Sequence, residues 1–361
     1  MHINFTQEMK KHNFSAGPCI LPQEVLKKAS DAVQNFNGLD LSLIEISHRS
    51  KDFVEVMETA RNLVKELLNL PEGYSVIFLQ GGASLQFLMT PYNLLKVDGK
   101  AAYLDTGAWS YKALKEAELF GEVDIVGSSK EKGYNYIPKN YSVSSDADYL
   151  HVTSNNTIFG TQIKEFPKTD SLLVCDMSSD IFSRQMDFSQ FDLIYAGAQK
   201  NMGPAGTTLV IVKDETLGKT GRNIPSMLDY QVHISKDSMF NTPPVFAVYV
   251  SMLTLEWLKK NGGIAEIEKK NEEKAALLYT EIDSNPQFVG YAEKEDRSSM
   301  NVTFNLVDKS KSEEFDALWN AAGINGLKGH RSVGGYRASI YNALPIESVK
   351  VLVDVMKKLN N

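Results

Sequence analysis

The stretch FDLIYAGAQKNMGPAG, residues 191–206, decides how this chain is read. It runs from an apolar segment of strand character through small residues to one cation, Lys200, and then to an asparagine, a methionine and a Gly-Pro pair. An ammonium is costly to bury. A lysine at the end of a buried strand therefore either reaches solvent along its stem or uses its amine for chemistry. What stands at the ends of the neighbouring strands decides between the two.

Upstream, strand-like and helix-like segments alternate. PQEVLKKASDAVQNF and DFVEVMETARNLVKELLNL have helical spacing. YSVIFLQ (74–80) leads through GGAS into LQFLMTPYNLL, and AAYLDT (101–106) leads through GAWS into YKALKEAELFG. EVDIVGS, DYLHVTS (148–154), SLLVCDMS (171–178), FDLIYAG (191–197) and TTLVIVK (207–213) continue the strands. The alternation predicts an α/β fold, a mainly parallel sheet covered by helices on both faces. Past the Gly-Gly pair at 262–263 the texture becomes that of a compact α+β unit: a charged helix over 264–283, the strand SMNVTFNL, the helix EEFDALWNAAG, the strand YRASIYNA and the closing helix SVKVLVDVMKKL. The predicted organisation is an N-terminal arm over 1–12, a large domain over 13–262 and a small C-terminal domain over 263–361.

In an open α/β sheet, ligands bind beyond the carboxyl ends of the strands. After YSVIFLQ come Gly81, Gly82, Ala83 and Ser84, small residues that bare backbone N–H groups at a helix start, as a phosphate requires. After AAYLDT comes Trp109, able to cover a flat heterocycle. After SLLVC comes Asp176, a carboxylate that needs a positive partner if buried. Lys200 follows 200 − 176 = 24 residues later. Together these are the parts of a pyridoxal phosphate enzyme: an amine for a Schiff base, an acid for the pyridine nitrogen, donors for the phosphate and a ring for stacking.

Bulk composition narrows the partners. The 361 residues carry 38 basic and 45 acidic side chains, a net charge of −7 with no basic block, which argues against nucleic acid. Two cysteines without paired spacing and six unclustered histidines suggest a reducing compartment and no metal site. No apolar run reaches the length of a membrane span, and the first residues lack the apolar core of a signal peptide, so a cytoplasmic protein without membrane contact is expected.

Longer blocks carry a family resemblance. NFSAGP (13–18), EISHRS (45–50), FLQGGASLQF (78–87), YAGAQKNMGPAG (195–206), MFNTPP (239–244) and GHRSVGGYRASIYNA (329–343), in this order, resemble the phosphoserine aminotransferases, fold-type-I enzymes of serine biosynthesis. The resemblance implies that Lys200 bonds the cofactor, Asp176 pairs with its ring nitrogen, Trp109 stacks on the ring and Thr157 approaches the phenolic oxygen. It implies that Gln199, Ala83 and Ser84 contact the cofactor phosphate, together with Asn241 and Thr242 from the second subunit of a homodimer. Thr242 before Pro243 and Pro244 also reads as a helix N-cap. For the substrate, the resemblance implies that Arg337 takes the α-carboxylate and that His48, Arg49, His330 and Arg331 surround the phosphate. Some members carry an arginine where this chain has Ser84, so part of that contact is missing or supplied differently here. Some also act on a phosphohydroxythreonine in vitamin B6 synthesis.

Three other readings compete: a cysteine desulfurase, an alanine–glyoxylate-type aminotransferase and a non-catalytic binder of the cofactor. A desulfurase needs a mobile nucleophilic thiol. Cys175 falls inside an apolar strand and Cys19 in the GPCILP segment, neither suited to that role.

Overall fold

The structure, a computed structural model, describes residues 11–359. Residues 1–10 of the expected N-terminal arm lie outside the described part. In chain order the elements are β1 (His12–Asn13), α1 (Gln23–Gln34), α2 (Lys51–Leu67), β2 (Tyr74–Leu79), α3 (Gly82–Leu94), β3 (Lys100–Asp105), α4 (Ala108–Ala117), β4 (Glu122–Ser128), β5 (Ala147–Thr153), β6 (Leu172–Asp176), β7 (Leu193–Gly197) and β8 (Thr208–Lys213). They are followed by α5 (Tyr230–Ser235), α6 (Val245–Lys260), α7 (Gly263–Ser284), β9 (Phe288–Gly290), β10 (Asn301–Leu306), α8 (Ser312–Ala321), β11 (Ile324–Asn325), β12 (Tyr336–Ser339) and α9 (Ile346–Lys358).

Seven strands form one sheet in the order β2-β8-β7-β6-β5-β3-β4. Only β8 runs against its neighbours, pairing antiparallel with both β2 and β7. The expected mainly parallel α/β sheet is therefore present. Apart from the edge strand β4, which is exposed or half-buried, its strands are largely buried because both faces are covered. Val76, Phe78, Leu104 and Cys175 point into a core shared with α1, α2 and α6, whereas Ile77, Leu79, Tyr103 and Val174 point into one shared with α3 and α4. Asp176 lies two residues beyond Val174, so strand alternation turns it to the α3/α4 face.

A third core gathers Leu278 and Ile282 of α7 with β10, β12, α8 and α9 around a three-stranded sheet ordered β12-β10-β9. Helix α7 spans two cores: Ile264 and Ile267 pack on the large sheet, while Ala275 and Leu278 pack on the small one. We propose the domain division near residue 262 on this separation of cores. The start of the described chain sides with the C-terminal unit, since β1 pairs in parallel with β11 and Phe14 is buried in the third core.

One local expectation is corrected. Thr242 does not cap α6, which starts at Val245 with Pro244 in the N-cap position and no side-chain cap. Pro244 disfavours helical geometry at Pro243, which delays the helix beyond the residue that would follow a Thr242 cap.

Candidate active site

The loops after β5 and β7, the end of β6 and the first turns of α3 and α4 converge on a cavity of about 310 Å³. That volume lies at the small end of the roughly 300–1,000 Å³ range of ligand pockets. The cavity brings together nine of the residues expected at the site: Ala83, Ser84, Trp109, Thr157, Asp176, Gln199, Lys200, His330 and Arg337. It does not include His48, Arg49, Asn241, Thr242 or Arg331 of the same chain.

Lys200 follows β7 in the turn that reverses the chain towards β8. Its Nζ donates to Thr157 Oγ1 at 2.7 Å and stands 5.6 Å from the centre of the Trp109 ring. Burial pulls its pKa down to about 8; Asp176 opposes the fall and Arg337 adds to it. An amine with that pKa is neutral in roughly a tenth of molecules at pH 7, against less than about one in a thousand for an ordinary lysine. Only the neutral amine is a nucleophile towards a carbonyl, so the pocket prepares Lys200 for carbonyl chemistry.

Asp176 ends β6 and is buried. Desolvation raises its pKa, and the Lys200 charge works in the other direction. The Ser178 N–H donates to Asp176 Oδ1 at 2.9 Å, holding the carboxylate in an Asx-type turn. A cationic N–H placed in the cavity would relieve the desolvation.

On the opposite wall, Trp109 sits in the first turn of α4, whose start is tied by Ser110 Oγ accepting from the N–H groups of Thr106 and Gly107, both at 2.9 Å. The Trp109 indole N–H is buried without a partner among the described residues. The start of α3 is shaped by Gly81 and Gly82, both left-handed (φ 87° and 66°). A Cβ on Gly81 would also come within 2.5 Å of Leu85. This start presents unpaired backbone donors at the positive end of a helix.

Arg337 enters from β12. Its Nη1 donates to the Thr157 carbonyl at 3.3 Å, and its Nε is buried without a partner among the described residues. Thr157 therefore holds both cations, the amine by its hydroxyl and the guanidinium by its carbonyl. His330 Nδ1 lies 2.7 Å from Ser332 Oγ, and burial, Arg337 and Arg331 lower its pKa.

The other expected residues lie elsewhere. Asn241 borders a small recess with Gln80 and His233, and the Thr242 carbonyl accepts from Gln80 Nε2 at 2.7 Å. Arg49 is exposed, and His48 Nε2 is buried without a partner. Of the cavity residues, Ala16, Gly17, Ile158 and Ser178 have no role assigned from sequence, whereas Gly82 belongs to the expected phosphate turn. Only Ser178 left a local signal there, the Asp-Met-Ser spacing of an Asx turn.

Neither thiol fits a desulfurase. Cys175 is fully buried. Cys19 donates to the carbonyls of Ile20 and Lys200, and burial pushes its thiol up to about 12.

Known sequences and structures agree with this chemistry. The family model of the class-V aminotransferases matches residues 11–352, and the chain belongs to that class. It is 70% identical to the phosphoserine aminotransferase of Flavobacterium johnsoniae over 98% of this chain and 99% of that one. The solved phosphoserine aminotransferase of Bacillus circulans subsp. alkalophilus superposes with a TM-score of 0.95 at 43% identity, covering 98% of this chain and 99% of that one. A PLP-bound phosphoserine aminotransferase from Trichomonas vaginalis superposes with a TM-score of 0.92 at 36% identity, over 96% of this chain and 100% of that one. Within its class the chain belongs to the phosphoserine aminotransferase family.

Proposed function

We propose that this cavity transfers an amino group between O-phospho-L-serine and 2-oxoglutarate, giving 3-phosphohydroxypyruvate and glutamate, with pyridoxal phosphate as the resident cofactor. The observation that carries the reading is Thr157 holding Lys200 and Arg337 side by side above the buried Asp176.

The residues present fit the cofactor. The α3 start with Ala83 and Ser84, joined by Gln199, would hold its phosphate; Trp109 would cover its ring, Asp176 would accept from its pyridinium N–H, and Thr157 would face its phenolic oxygen. Pyridoxal phosphate, bonded through its aldehyde to Lys200, supplies an electron sink for the substrate's α-carbon. Arg337 binds the α-carboxylate through its fork and orients the α-C–H towards the lysine. Lys200 Nζ, when free, would take the α-proton and deliver it again from the same side to complete the exchange. Asp176 keeps its partner nitrogen charged, because a buried carboxylate is stabilised by the cation it faces.

Asp176→Ala should therefore fold and lose roughly a thousandfold in kcat, the scale of removing one aimed electrostatic group. Steady-state transamination with phosphoserine measures it. An unchanged kcat would assign Asp176 a structural role.

The residues outside the cavity motivate a homodimer. Leu41 and Ile44, 50% and 58% exposed, precede His48 and Arg49 and offer an apolar contact surface. In the dimer, Asn241 and Thr242 reach the partner's cofactor phosphate, and His48 and Arg49 join His330 and Arg331 around the substrate phosphate. Mixing inactive Lys200→Ala subunits with inactive Asn241→Ala, Thr242→Ala subunits should restore activity, because one site of each hybrid is assembled from intact halves. No recovery on mixing would show that each subunit builds its own site.

The phosphohydroxythreonine of vitamin B6 synthesis presents the same phosphate and α-carboxylate. We include it as a second substrate, to be assayed beside phosphoserine with 2-oxoglutarate as acceptor. Among the described residues no helix is long and apolar enough to cross a membrane. A cytoplasmic location is proposed to match the small soluble substrates.

A further inference from the structure

We propose that Lys112, on α4, is a substrate-phosphate-binding cation that sets the preference for phosphoserine over glutamate. The inference rests on the phosphoserine reading of the cavity.

The phosphate end of the site is short of charge within one chain. The first turn of α3 carries no basic residue; Ser84 stands there. In the proposed reading Arg337 is committed to the carboxylate. His330 borders the cavity, but burial and the surrounding positive charges favour its neutral ring, which offers a hydrogen bond without a charge.

Lys112 supplies what is missing. It lies three residues after Trp109 on α4, on the same helix face. Its Nζ stands 4.6 Å from the centre of the Trp109 ring. Its charge acts on His330 together with those of Arg337 and Arg331. Trp109 and His330 both border the cavity; Lys112 itself does not line it, so its ammonium acts on the site from beside these two groups. Lys112 is exposed and has no carboxylate partner among the described residues, unlike Lys115 one turn on, which pairs with Glu118. A free ammonium on a four-carbon stem can follow a doubly charged phosphate. A carboxylate in the same place carries less charge and gains less.

The test separates the two substrates. Phosphoserine and glutamate half-reactions are followed in the holoenzyme carrying Lys112→Met, Lys112→Glu or Lys112→Arg, and inorganic phosphate is titrated as a competitive inhibitor. Lys112→Met should raise the phosphoserine KM and the phosphate inhibition constant roughly tenfold, the scale of one charge-assisted hydrogen bond, with kcat and the glutamate KM within about twofold. Lys112→Glu should raise both constants further, towards about a hundredfold, and Lys112→Arg should restore them. Unchanged constants in both Lys112→Met and Lys112→Glu overturn the proposal. So do equal losses for both substrates, which would place Lys112 in support of Trp109 instead. Failure of the unaltered protein to use phosphoserine would be seen first, and would overturn the broader reading as well.

Discussion

Lys200→Ala is expected to fold, to retain the capacity to bind pyridoxal phosphate non-covalently, and to lose at least about four orders of magnitude in kcat, the upper range for a positioned proton carrier. Two jobs end together in this variant. The amine no longer bonds the cofactor's aldehyde, and the group hydrogen-bonded to it, the Thr157 hydroxyl at 2.7 Å, is too weak a base to carry the α-proton in its place. Folding should survive for a physical reason. Burial lowers the lysine's pKa from 10.5 to about 8, so at every pH below that folded value the native state carries the full cost of an ammonium held away from water, a cost that fades as pH rises from 8 towards 10.5. Alanine removes that cost at neutral pH, so the apoprotein should melt no lower than the parent. Turnover and thermal melting, measured on one preparation, decide the matter. Near-parental turnover would remove Lys200 from the reaction, and a collapsed melting temperature would make the loss of activity uninformative until Lys200→Met is compared.

Serine in place of phosphoserine is expected to lower kcat/KM by about ten-thousandfold, the penalty when a site built for a polar group meets an analogue that lacks it. His330 borders the cavity and Arg331 follows it in sequence; with His48 and Arg49, which we propose to join them in a dimer, they form a set of donors suited to an anion. Serine leaves those donors desolvated and unpaired, which costs more than the lost attraction alone. The acceptor must use the same place, since glutamate puts its side-chain carboxylate there. The ratio of kcat/KM values, with 2-oxoglutarate as common acceptor, measures the effect. A ratio below about tenfold would show that the phosphate is not read at this end of the cavity.

The chain discloses its chemistry unevenly. The strands and the chief helices are visible because each is buried on a defined face and so leaves a period in the sequence. Lys200 and Asp176 are visible for the opposite reason, as ionisable groups at the ends of runs too apolar to hold them without purpose. The β1–β11 pair is not visible, because two residues of contact between distant parts of the chain leave no pattern. Nor could local sequence reveal that Ala16, Gly17 and Ile158 border the cavity, since small and apolar residues at a wall look like residues anywhere else. Thr157 was found by resemblance alone. His48, Arg49, Asn241 and Thr242 are a different case: the described chain does not bring them to the cavity.

Thr157 also acts as a ruler. Its hydroxyl holds the reactive amine and its carbonyl holds the guanidinium, so the gap between those two cations is spanned by the covalent skeleton of a single residue rather than by packing between separate elements. A substrate must bridge that gap with its own nitrogen and carboxylate. When both hang from one carbon the span fits; an extra methylene, as in β-alanine, pushes one of them out of register. In the proposed assignment, different side chains are accepted at the phosphate end while the Lys200–Arg337 spacing selects α-amino acids, because the two are measured from opposite ends of the same cavity.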